Sequence, residues 1–149
     1  MAVLTTTITE EVYLNGSNRG STNTVSVTGV NDVMHRIVEV TSNIVGYTEL
    51  ISFDTYPGGS VFNPNDLRYL RVTNVDKATT PTSINLKVQT ANNEHIVVLD
   101  ANESYVLFND NIYAGTGVDQ AFTLADIKTV KAAGASAANC PVEIFVASV

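Results

Sequence analysis

Two histidines, one cysteine and a few oxygen-rich turns are the residues of this chain best suited to chemistry. His35 and His95 each lie inside a strand pattern, flanked by apolar residues. Histidine titrates near neutrality, so either residue suits general base or metal-ligand work. Neither has a second ligand type at metal-binding spacing. Glu94 adjoins His95, but neighbouring strand residues point to opposite faces. Both histidines therefore read as structural. Cys140 precedes Pro141 and a closing apolar run. Nothing in its surroundings lowers a thiol pKa, so it reads as a small, partly buried thiol. A single cysteine makes neither an intrachain disulfide nor a cysteine-based zinc site.

Asp100, Asn102 and Glu103 form one oxygen-rich cluster, and Asn109, Asp110 and Asn111 a second. Hard cations use such ligands. Neither cluster has the spacing of a calcium loop, and Asn and Asp also make turns. Gly115-Thr-Gly-Val-Asp-Gln120 begins like a dinucleotide fingerprint. Its sixth position is Gln120 where glycine is required, and no βαβ pattern surrounds it. Asp54 has no second carboxylate close in sequence, and Glu10-Glu11 reads as a solvated strand edge. Tyr56, Phe62, Tyr69, Tyr105 and Tyr113 suit the lining of a carbohydrate site. With aromatics at 7% and no Trp, a core or interface role is the stronger reading. The expectation is a chain without catalytic residues, cofactor site or metal site, and so not an enzyme.

The elements that carry these residues are short strands. Period-two alternation recurs between Gly, Asn, Asp and Pro punctuation. Strands are expected over residues 7–14, 24–28, 33–41, 47–53, 67–73, 83–90, 95–99, 104–108, 126–131 and 142–147. In the third run, Val33, His35, Ile37, Glu39 and Thr41 take one face, and Met34, Arg36, Val38 and Val40 the other. In the fourth, Thr48, Leu50 and Ser52 oppose Tyr47, Glu49, Ile51 and Phe53. Residues 67–73 have an irregular period. Asn15 to Gly20, Tyr56-Pro-Gly-Gly-Ser60 and Asn63-Pro-Asn-Asp66 are turn signals. Residues 109–120 read as a loop, and the Ala-rich 132–138 as a tight or surface loop.

Composition agrees. The chain has 149 residues with 21 Val, 18 Thr and 9 Ile, so β-branched residues are plentiful. Its 15 Asn suit turns. The length fits one domain with a sizeable core. The fold expected is all-β: one β-sandwich over residues 1–149, jelly-roll-like, of about nine or ten short strands. Residues 1–10 read either as an ordinary edge strand or as an extended arm that adds to a neighbour's sheet. The formal charge of −7 argues against nucleic acid as a partner. No apolar run is long enough for a membrane span, and the first residues lack a basic leader, so synthesis and folding in a cytoplasm are expected. Asn15-Gly-Ser and Asn102-Glu-Ser match the glycosylation sequon and read as chance. Only 15% of residues are charged, and interface cores are depleted in charge. A protein whose product is a contact surface is the reading these features favour.

Three segments carry a resemblance. The first is Leu67-Arg-Tyr-Leu-Arg-Val-Thr-Asn74, preceded by Tyr56-Pro-Gly-Gly-Ser60. The second is Ser83 to Phe108 with its Asp100-Ala-Asn-Glu-Ser104 turn. The third is Ala125-Asp-Ile-Lys-Thr-Val-Lys-Ala-Ala133 with Val142-Glu-Ile-Phe-Val-Ala-Ser148. With the Thr-rich start they cover most of the chain. In style they resemble small virion structural proteins of tailed bacteriophages, particularly those of cyanobacterial and marine phages. The resemblance implies a capsid decoration, or cement, protein on the outside of the head. The partners it implies are the major capsid protein and further copies of the chain, as a trimer at local symmetry axes. A tail, collar or fibre component is the alternative within that class, and a carbohydrate-binding module the alternative outside it.

Overall fold

The computed structural model describes residues 2–53, 62–108, 113–118, 121–136 and 138–149. Every regular element in them is a strand, apart from a 3-10 turn at Pro64–Asp66. Eight strands build a sandwich. One sheet has the order β10 (Ser104–Phe108), β7 (Leu67–Asn74), β14 (Cys140–Ser148), β5 (Asp32–Val40). The other has the order β6 (Thr48–Ser52), β13 (Thr129–Gly134), β8 (Ile84–Gln89), β9 (Glu94–Leu99). All pairings are antiparallel. The last strand inserts between β5 and β7, and β13 between β6 and β8, so the chain crosses between sheets in the order of a jelly roll.

The expected alternation is visible in the core. Val142, Ile144 and Val146 of β14, Leu70 and Val72 of β7, Ile84, Leu86 and Val88 of β8, and Val130 of β13 are buried together. Each fully buried aliphatic side chain of this kind is worth roughly 1.5–3 kcal/mol relative to exposure. Arg36 lies at the open side between β5 and β6 and donates to the Leu50 carbonyl across the two sheets. At the other open side, His95 of β9 and Tyr105 of β10 lie with ring centroids 6.3 Å apart.

Four expectations are corrected. In β6 a bulge opposite Val130/Lys131 turns Leu50 and Ile51 inward together, where strict alternation had separated them. Residues 109–120 are not a continuous loop: β11 (Tyr113–Val118) pairs with β12 (Ala121–Asp126). The glycines that suggested a loop lie within β11, which a paired ribbon tolerates. The expected strand over 126–131 divides at Ile127 and Lys128 into the end of β12 and the start of β13. Finally, Ala132, Ala133 and Gly134 continue β13. They are small because the site is crowded: both alanines are fully buried, and a Cβ at Gly134 would come within 2.5 Å of the Ala138 carbonyl oxygen.

Residues 2–30 stand apart from this body. β1 (Ala2–Thr9) pairs with β4 (Thr22–Val30), and β2 (Tyr13–Leu14) with β3 (Ser17–Asn18). One register joins both pairs: Val3↔Thr28, Thr9↔Thr22, Tyr13↔Asn18 and Leu14↔Ser17 keep a constant offset. Bonds from Glu10 N–H to Ser21 O and from Arg19 N–H to Val12 O bridge the interval. The result is one hairpin, about 40 Å long at roughly 3.4 Å per residue. Its tip is Asn15-Gly16, with φ of 52° and 79°, the left-handed pair that a two-residue hairpin turn requires. The strand expected over 7–14 is thus part of the first arm of this hairpin.

Candidate interaction surface

The hairpin has two dissimilar faces. One carries Val3, Thr5, Thr7 and Thr9 opposite Thr28, Ser26, Thr24 and Thr22. Hydroxyls pair across it: Thr5 with Ser26 at 3.2 Å, Thr7 with Thr24 at 3.0 Å, and Thr22 with Thr9 at 3.5 Å. The other face carries Leu4, Thr6 and Ile8 opposite Val27, Val25 and Asn23. Only its base is covered. Val27 and Val30 are buried against Tyr69 and Ala147, with Leu4, Phe108, Phe145 and Val149 packed around them. Beyond that joint the hairpin is exposed on both faces, including Ile8 at 52%, Tyr13 at 71% and Leu14 at 58%. Neither β1 nor β4 contains a charged residue.

The joint lies on the outward face of the β10-β7-β14-β5 sheet. Rings there form a row across four strands. His35 and Phe145 have centroids 5.7 Å apart, Phe145 and Tyr69 5.6 Å, and Tyr69 and Phe108 5.7 Å. Edge-on contacts of this kind add about 0.5–1.5 kcal/mol beyond area burial. Tyr69 is buried on the outward face while Leu70 and Val72 are buried on the inward one. Cover on both faces explains the irregular period of residues 67–73.

Beside the rings, Glu143 accepts from Arg71 on β7, and its carboxylate lies 3.2 Å from His35 Nε2 on β5. The group ties three strands; its members range from half-buried to exposed, and it contributes about 1 kcal/mol. Sequence reading missed Arg71 and Glu143 as partners of His35, because they meet only through the β5-β14-β7 register. His35 and His95 are both exposed. Glu94 and His95 do point apart: Glu94 pairs with Lys87 at 2.8 Å, and His95 lies beside Tyr105. Burial holds the Tyr105 phenol above its ordinary value.

Cys140 is fully buried, deeper than the partial burial expected. Its S–H faces Asn74 Oδ1 at 3.2 Å. Asn74, also fully buried, donates to the Thr82 and Leu99 carbonyls and accepts from Asp76 N–H. The Asp76 carboxylate accepts from Thr82 N–H and Ala78 N–H, and these bonds hold it below its ordinary value. Burial, helped by the Asp76 charge, pushes the Cys140 thiol up to about 11. A thiol held this far up is a poor nucleophile near neutrality. The network's polar atoms are satisfied internally and fix the loop between β7 and β8.

Asp100 and Glu103 serve the turn between β9 and β10. Asp100 accepts from the Ser83 hydroxyl, and Glu103 from Asp100 N–H, with Asn102 at φ 68°. Among the described residues no three His, Cys, Asp or Glu side chains gather as metal ligands would. Glu10 accepts from the Ser21 hydroxyl on the exposed hairpin. Gly115 to Val118 lie in β11, paired with β12. The aromatic residues considered for a sugar site do not share a face where described. Tyr69 belongs to the outward cluster, whereas Phe62 and Tyr105 pack on the main core. Asp54, Tyr56 and the cluster 109–111 lie outside the described residues, as does the side chain of Tyr113.

Compared with protein-family models, with curated proteins and with solved structures, the chain finds no match.

Proposed function

We propose that the chain is a non-enzymatic virion structural protein that binds the outside of a phage head and stabilises it. The observation that carries the reading is the hairpin of residues 2–30, a two-stranded ribbon exposed on both faces, with Val12, Tyr13 and Leu14 exposed beside its tip. Two strands alone are marginal in water, and apolar residues gathered on an exposed element mark a contact surface. The jelly roll supplies a stable platform from which the hairpin projects. The resemblance of residues 67–74, 83–108, 125–133 and 142–148 to phage virion proteins supports a virion role, with decoration of the head as the first reading and a tail, collar or fibre component as the alternative. The major capsid protein and further copies of the chain are the partners in this reading.

Many copies that bind an assembled shell better than an open one stabilise it by mass action and avidity. The acidic balance suits a position facing solvent rather than packaged DNA. The test compares heat-induced rupture of particles with and without the protein, and with a Tyr13→Asp, Leu14→Asp variant. Rupture should shift upward only with the wild-type chain. Equal rupture with no particle binding would contradict the proposal. Binding confined to a tail or a single vertex would replace decoration with a tail, collar or fibre role.

A further inference from the structure

We infer that the free edge of β1 pairs with the same edge of a second copy, antiparallel about a two-fold axis at Thr6. This rests on reading the chain as a contact protein and names the contact. Four features on the hairpin support it.

The first is hydrogen bonding. Glu10 N–H donates to Ser21 O, and Arg19 N–H to Val12 O, so the even-numbered residues of the first arm bond within the hairpin. Antiparallel ladders alternate, so Val3, Thr5, Thr7 and Thr9 direct their N–H and C=O groups to the outer edge. Among the described residues β1 has β4 as its only strand partner.

The second is charge. Three of the four sandwich edges carry charged side chains: Asp32, Arg36 and Glu39 on β5, Glu49 on β6, and Glu94 on β9. Charges on edge strands oppose pairing with other chains. β1 has none, and no proline. Two copies that each carry −7 can meet along β1 without opposing like charges.

The third is self-complementarity. The regular run of β1 is Val3–Thr9, because the register shifts between Ala2 and Val3. Its centre is Thr6. Pairing about Thr6 sets Thr5 opposite the partner's Thr7, Val3 opposite the partner's Thr9, and Leu4 opposite the partner's Ile8. Hydroxyl face then meets hydroxyl face, and apolar face meets apolar face. β4 is less suited, since Gly29 at φ 78° breaks its run.

The fourth is strand number. Two ribbons joined this way make a four-stranded sheet β4-β1-β1-β4 with one apolar face. Three or more strands with such a face reach the stability that two lack. The contact is two-fold, so two copies, not three, associate in solution.

The test uses the full chain. Thr6→Cys places one thiol from each copy in a non-hydrogen-bonded pair, with Cα atoms about 4.5 Å apart, inside the disulfide range. Mild oxidation should link Thr6→Cys into dimers, and Thr7→Cys, whose counterpart is displaced along the strand, should stay unlinked. Cys140 is buried and does not compete. Thr7→Pro removes an outward N–H without removing a hairpin bond. By sedimentation the wild type should pass from monomer to dimer with concentration, and Thr7→Pro should stay monomeric. A wild type that is monomeric at millimolar concentration, a stable trimer, equal linking at both positions or a Thr7→Pro dimer as tight as wild type would each overturn the pairing. A wild type that is monomeric yet decorates particles overturns the pairing and keeps the function. A paired chain that ignores particles does the reverse.

Discussion

The hairpin and the sandwich both draw heavily on Val and Thr, yet they are stabilised differently. In β8, Ile84, Leu86 and Val88 are buried on one face while Asn85, Lys87 and Gln89 take the other. In β1, Leu4 and Ile8 take one face and Val3 the other, yet Val3 and Ile8 are more than half exposed. Alternation creates a face to be buried, but it does not say what buries it. The sandwich covers its faces with its own chain. The hairpin covers only its base, on Tyr69, Phe108, Phe145 and Ala147.

The largest effect that separates the two regions is expected from the core. Leu70→Ala removes a fully buried side chain between the sheets. It should cost about 3 kcal/mol and lower the melting temperature by roughly 10 °C. A negligible shift would mean that the sandwich is not the stabilising unit.

Next is the acid response of the polar end of the sandwich. The pKa of Asp76 is lowered in the folded chain from an ordinary 3.8 by bonds from Thr82 and Ala78 N–H. Its contribution is therefore present above pH 4 or so and is lost as pH falls through the folded value. Melting temperatures of wild type and Asp76→Asn should differ near neutrality and converge as the solution is acidified. A constant gap would refute the assignment.

The smallest effect belongs to the hairpin tip. Gly16→Ala adds a Cβ at φ 79°, at a cost of about 1 kcal/mol. Amide exchange near the tip should quicken while the melting temperature of the sandwich stays unchanged. A matching fall in melting temperature would show that the two regions unfold as one.

The sequence made the body legible because burial there follows a simple period. Val33 to Val40 and Ser83 to Thr90 alternate cleanly, and both are strands with the faces expected. Legibility failed where covalent neighbours do not decide burial. Leu50 and Ile51 share a side because of a bulge set by β13. Gly115 and Gly117 lie in a ribbon because β12 pairs with them. The surface was half legible. Charge-poor residues 2–9 suggested an arm, and Asn15-Gly16 marked a turn. That both belong to one hairpin depended on a register running from Val3 to Thr28, which no local signal encodes. The cluster of Arg71, Glu143 and His35 was illegible for the same reason.

Amide hydrogen exchange over a dilution series tests most directly whether the hairpin is completed from outside. The amides of Leu70, Val72, Ile144 and Val146 should be protected equally at every concentration. Those of Thr5, Thr7 and Thr9 should exchange freely when dilute and gain protection as concentration rises. Protection of Thr5 and Thr7 that is independent of concentration, or absent throughout, would contradict the account.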